Sequence, residues 1–339
     1  TTTGKTITTN GVAFGGAVTL NGVGGAWTLG SAFSCSTGTL TLTNGTFNTS
    51  VSNYAVTAGT FSSSNSNIRT ISLNGSTITL SSSATPWSMA TSTNATVNAG
   101  TSTISMSGAG PSFDGGGRTY YNVSFTTFSA SVTDVTGANT FNNLTAPTSA
   151  SAGINQFSFG ANQTINGTLT VNGANGNQRQ FVNSTIRGTT RTLTCAVIAA
   201  MTDVDFEDIT IAGAHGTLSG TRLGNCGGNS NITFDAGKTV YWNLAAGGFW
   251  SATAWALGSG GAVAAANFPL AQDTAIIENT GLNTSATVTI SSSYNIGTLD
   301  TSTRTNAMTL ASGVTNPTFY GNFTYGSGVT PTGTQAYTF

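Results

Sequence analysis

Ile71-Ser72-Leu73-Asn74-Gly75 is the stretch whose reading decides the fold. Apolar and hydroxyl residues alternate, and the segment closes on Asn-Gly. A period of two puts Ile71 and Leu73 on one face of a short strand, and Asn-Gly supplies the φ > 0 backbone for the turn that follows. The same phrase recurs as Ala17-Val18-Thr19-Leu20-Asn21-Gly22, Leu40-Thr41-Leu42-Thr43-Asn44-Gly45, Thr164-Ile165-Asn166-Gly167 and Leu169-Thr170-Val171-Asn172-Gly173. Antiparallel hairpins use such turns, and so do the corners of stacked parallel coils. Two features favour the coils. The segments return along the whole chain without a shift in composition, as a repeat array does. Thr, Ser and Asn also dominate where a sandwich would need a deeper apolar core, whereas a narrow coil buries only a thin file of Val, Ile, Leu and Phe. The sequence therefore predicts an all-β, β-solenoid architecture. With about 20 to 25 residues per coil and about 4.8 Å between strands, the expected product is a rod on the order of 70 Å long.

Charge is scarce. The 339 residues include 9 Lys+Arg, 10 Asp+Glu and 1 His, so 6% of the chain is charged, against about a quarter in an ordinary domain. Helix formers are few. A hydrophobic fraction of 38%, placed in runs such as Ala286-Thr287-Val288-Thr289-Ile290, argues against a disordered chain. A formal net charge of −1 leaves no cationic footprint for a polyanion, which excludes nucleic acid as a partner. No apolar run approaches the ~18 residues a spanning helix requires, so no membrane insertion is expected. Cys35, Cys195 and Cys226 fit no metal or redox spacing and read as small buried residues, with a Cys195–Cys226 bridge as the one conceivable pairing. The chain opens on Thr1-Thr2-Thr3-Gly4 without a readable secretion signal, as expected of a piece cut from a longer polypeptide.

Four segments follow from the punctuation: solenoid coils over 1–118, their continuation over 119–238, a small Trp-rich module over 239–272 inserted between coils, and resumed coils over 273–339. The candidate sites lie in the second and third segments. Asp203, Asp205 and Glu207 would share one strand face, with Asp208 on the other. Three carboxylates on one face could hold a hard cation such as Ca²⁺. The Gly-rich spacing of a Ca²⁺ loop is absent, and the plain alternative is a solvated face paired with Arg187, Arg191 or Arg222. A glycoside-cleaving reading would also recruit two of these acids. Trp242, Trp250 and Trp255 could form a stacking platform for a glycan if exposed, or else the module's own core. His215 falls in the turn-like Ala214-His215-Gly216 with no nucleophile elbow nearby. No catalytic residue and no cofactor is read from the sequence.

The run from Asn162 to Thr170, the stretch Asp203 to Ile209, Asn225-Cys226-Gly227-Gly228-Asn229-Ser230 and Tyr241 through Pro269 together resemble the Gly/Thr-rich repetitive proteins of phage tail fibres and virions, also found among large bacterial surface proteins. The resemblance covers most of the chain. It implies a β-solenoid shaft on an exposed appendage and self-association as a homotrimer beside other virion proteins, with no catalytic residues to carry over. The expected role is a non-catalytic, rigid spacer located in the virion and presenting receptor-binding parts. The alternatives are an adhesin or matrix filament of the bacterial cell surface that binds glycans directly, and a polysaccharide-degrading tailspike. In a trimer, apolar outward stripes along the coils would be buried between chains. Thr330 to Phe339 reads as a lead-in to a coil like that at Gly4-Lys5-Thr6-Ile7-Thr8, the pattern expected of one long period within a larger protein.

Overall fold

The computed structural model describes residues 4–127, 133–148, 151–313 and 316–339; the opening Thr1-Thr2-Thr3 lies outside them. The chain is nearly all β, with 1% helix, and its parallel strands stack into a β-solenoid of about 13 turns. Each coil visits three faces in order. Arg69–Ser72, Thr77–Leu80 and Trp87–Ser88 occupy the first, second and third face of one turn, and Ala95–Asn98, Thr103–Met106 and Phe113–Asp114 occupy the same faces of the next. Ile71 pairs with Val97, Ile78 with Ile104 and Trp87 with Phe113, all in parallel register. Peptide groups on each strand therefore find partners in the coils above and below.

The Asn-Gly punctuation marks corners. Asn74 takes φ 50, and Gly100, one coil on, takes φ 58. A Cβ on Gly100 would stand 2.2 Å from the Asn74 carbonyl oxygen, so only glycine fits that corner. The corner amides also ladder from coil to coil. Asn44 Nδ2 donates to Asn21 Oδ1 at 2.7 Å across 23 residues, and Asn74 Nδ2 to Asn48 Oδ1 at 2.9 Å across 26.

Inward side chains form thin files. On the second face Ile78, Ile104, Val123, Leu144 and Leu169 succeed one another in register and are all buried. On the third face Phe61, Trp87 and Phe113 stack at centroid separations of 4.5 and 6.2 Å. Tyr120 meets Phe113 edge-on at 4.9 Å. The Trp87 Nε1–H donates to the Tyr120 hydroxyl at 3.1 Å, which in turn donates to Gly115 O at 2.7 Å, so both polar tips are satisfied inside the core.

Gly224–Asn225 is the last strand of the first stack's sheet, single bridges at Ser230 and Ile232 extend it slightly, and among the described residues no later strand joins it. Thr239–Trp242 and Gly247–Phe249 start a second stack by pairing in parallel with Thr274–Ile276 and Ala286–Ile290, which pair onward with Thr298–Asp300 and Met308–Ser312. Segment 239–272, expected as an insert between coils, is thus the opening coil of a new stack with its own core, and the coils beyond 273 build on it. This coil also holds the one antiparallel strand pair among the described residues, in which Trp242 faces Trp255.

The two stacks cross. Ile154 N–H donates to Ser293 O at 3.1 Å, and two residues farther along the second stack Asn295 Nδ2 donates to Asp205 Oδ2 at 3.1 Å, in a different coil of the first. The next coil of the second stack brings the Tyr320 ring under Arg187, near the far end of the first stack's strands. Strands of one stack therefore run along the coil axis of the other, and the single straight rod expected from the coil count does not form. Nor do the described residues carry the apolar stripes expected for a trimer. Exposed apolar residues such as Val12, Val23, Val51 and Ile68 are scattered, and no two of them pair in register between coils.

The aromatic file yields a stability test. Trp87→Ala is expected to cost about 3–5 kcal/mol, and Tyr120→Phe about 1–3 kcal/mol by leaving the buried Trp87 N–H without an acceptor. Urea unfolding of both variants checks the order; Tyr120→Phe as the costlier change would contradict the packing.

Candidate functional site

The acidic segment lies where the stacks meet. Val204–Glu207 is a third-face strand buried on both sides, as is most of Gln178–Ser184 beside it. Val204 and Phe206 enter the first core. Asp205 and Glu207 alternate to the opposite side, where the second stack covers them. The expected solvated face is therefore a buried one. Phe181, Cys226 and Ala271 form a small apolar cluster at the same joint.

Arginines neutralise these acids. Arg179, one coil below, donates from Nε and Nη2 to Asp205 Oδ1 at 2.9 and 2.6 Å and from Nη1 to Asp203 Oδ1 at 3.2 Å. Arg222 closes a two-pronged pair with Asp203 at 2.7 and 2.6 Å. With the Asn295 amide on Asp205 Oδ2, every oxygen of both carboxylates has a partner. Packing is tight here: a Cβ on Gly224 would sit 1.9 Å from Asp205 Oδ1. Glu207 accepts from Arg187 Nε at 2.7 Å, and the Arg187 guanidinium lies 5.2 Å above the centroid of the Tyr320 ring. Asp208, at φ 57, turns away and accepts from the Gly188 N–H at 2.6 Å.

Several expectations change accordingly. Asp203, Asp205 and Glu207 do not converge on an ion; their oxygens are engaged by guanidinium and amide donors, and among the described residues no three His, Cys, Asp or Glu side chains are grouped to hold a metal. Arg187 and Arg222 pair with the acids as expected. Arg191 does not, its Nε being buried without a hydrogen-bond partner. Trp242, Trp250 and Trp255 offer no platform to a glycan: each is at most 1% exposed. They form the second core, Trp255 packing edge-on to both others at 5.3 and 4.7 Å. Cys195 and Cys226 are not bridged; all three cysteines are free and buried, and burial pushes the Cys195 thiol up to about 12. His215 sits in a turn, its Nδ1 accepting from the Ile198 N–H at 3.2 Å.

Sequence reasoning missed Arg179, Asn295 and Tyr320. The coil-length separations of 24 and 26 residues between Arg179 and its two aspartates were the available signal for the first. A second acidic pairing was also missed: burial, then the charge of Asp114, raises the Asp134 carboxyl. Clefts of about 260 and 280 Å³ open along the joint, the first floored by Trp255 and Phe268 and the second by Cys226 and Tyr320. No acidic, basic or histidine side chain lines either. Comparison of the chain with protein-family models, with curated proteins and with solved structures finds no match.

Arg179→Ala leaves the buried Asp205 without a cation, Asp203 keeping Arg222, and is expected to cost about 3–5 kcal/mol, whereas Arg187→Ala, whose side chain is 49% exposed, should cost less than about 1 kcal/mol; denaturant titration separates them. Burial raises the Glu207 carboxyl above its ordinary 4.5 despite Arg187. A carboxyl that holds its proton more firmly when folded contributes stability below its unfolded value, and that contribution is lost as pH rises through the folded value. Wild-type melting temperature should therefore fall relative to Glu207→Gln as pH rises through that window. A constant difference between the two proteins would contradict the assignment.

Proposed function

We propose that the chain is a non-catalytic structural segment of an extracellular appendage, a phage tail fibre or virion projection, holding receptor-binding parts at fixed distance and angle. The observation that carries this reading is the joint: two stacks of parallel strands, set crosswise and joined by buried hydrogen bonds and an apolar cluster, with the acids beneath neutralised by arginines of the first stack, make a rigid bracket rather than a hinge. Such a bracket transmits position without needing to move. Copies associate side by side, three to a fibre, through hydroxyl and amide contacts, since the outer faces offer little charge or continuous apolar area. A bacterial surface filament would draw on the same architecture. The carboxylates expected to serve a cleaving spike are instead committed to arginines, which favours the non-catalytic reading.

Negative-stain imaging of the full-length protein with solution mass determination tests this proposal. Uniform angular particles with a mass that is a multiple of three chains are the expected outcome; compact monomers would overturn the fibre reading. Because contacts between copies involve few ions, assembly is expected to survive molar salt. Salt-driven dissociation in the same mass measurement would contradict the mode of association.

A further inference from the structure

The second face of the first stack carries a file of hydroxyls that the fold itself does not use. Ser34, Thr57, Thr79, Ser105, Ser124, Thr145 and Thr170 follow one another in register, coil after coil, each partly exposed. Beside it runs a second file, Thr77, Thr103, Asn122 and Asn143. Its side chains brace one another. Asn143 Nδ2 donates to Asn122 Oδ1 at 2.9 Å and Asn122 Nδ2 to Thr103 Oγ1 at 3.2 Å, while Asn143 Oδ1 accepts from the Thr168 N–H at 2.8 Å. Between and along these files lies a groove of about 400 Å³ that crosses the coils from Thr103 to Thr170. Among the described residues the hydroxyls of Ser105, Ser124, Thr145 and Thr170 bond to no protein atom, and no charged side chain stands in either file.

We propose that this groove binds an extended, uncharged polysaccharide laid along the stack axis, about one sugar ring per coil. Hydroxyls and amides both donate and accept, as sugar hydroxyls do, so each coil offers the same complementary pair of groups. Their repeat is the strand spacing of about 4.8 Å, which is close to the advance of one ring in an extended pyranose chain. Other linear polymers fit less well. An anionic chain would require cations that the face lacks. A peptide adding as a strand would require free peptide groups, and here these are paired between coils. Each contact is weak alone, but successive coils act on one tethered ligand, which raises their combined affinity. The inference does not depend on fibre assembly, because an isolated chain carries the same groove.

Affinity electrophoresis of the full chain tests it, in gels containing hydroxyethyl cellulose, galactomannan, arabinoxylan or dextran, with alginate as the acidic counterpart. Retardation by at least one neutral polymer is expected. Ser124→Ala/Thr145→Val/Thr170→Val should bind about tenfold more weakly, and so should the single change Ser124→Asp. Thr70→Val/Thr96→Val, on the first face, should migrate as wild type, with circular dichroism confirming the fold of each variant. Absence of retardation by every neutral polymer, retardation confined to alginate, or equal retardation of the folded second-face variants would each overturn the proposal.

Discussion

Every coil must present its peptide groups opposite those of the coils above and below, at a spacing of about 4.8 Å. Most of the structure follows from that constraint. Because strands pair in parallel register, whatever side chain a position carries is repeated against itself in the next coil. Inward positions become files such as Ile78, Ile104 and Val123, one residue wide. Outward positions become files of Thr, Ser and Asn, whose hydroxyls and amides can bond to their own kind. Corners must fit beneath corners, and this confines Gly100 to its place over Asn74.

A chain with so little charge keeps eight of its nineteen charged side chains buried. Arg69 and Arg304 are buried and meet no carboxylate. Arg304 instead donates to the carbonyls of Glu278, Leu282, Asn283 and Ala307 at 2.8 to 3.1 Å. Arg69 does similar work for Ser63, Thr91 and Thr93. A guanidinium has five donors in a fixed plane, so it can gather carbonyls that a turn leaves without partners. At the joint the same side chain is matched by acid, and the charges of buried Arg179 and half-buried Arg222 balance those of Asp203 and Asp205.

The fold class was legible because alternation and Asn-Gly corners are local signals. Strand stacking then follows from length and repetition. What the sequence hid was non-local. The tryptophans of 239–272 mark a boundary, but the strands on either side have the same alternation, so nothing local announces that the axis changes there. The fate of Asp205 depends on Asn295, 90 residues away. Trp242, Trp250 and Trp255 read more readily as core than as platform, and the choice closes only when the coils around them do. The second-face file was hidden differently: its members are ordinary strand residues, and only register between coils, set by loop lengths, aligns Ser105 with Ser124 and Thr145.

The crossing of the stacks bears on how the protein would carry load. Tension along the axis of a single solenoid opens it like a zipper, one coil's hydrogen bonds at a time. Here a pull applied through the second stack reaches the first across its strands. It must shear the Asn295–Asp205 and Ile154–Ser293 hydrogen bonds and the Phe181 cluster together before any coil can peel. Bonds loaded in parallel share the force, so the joint should yield at higher tension than the coils it connects.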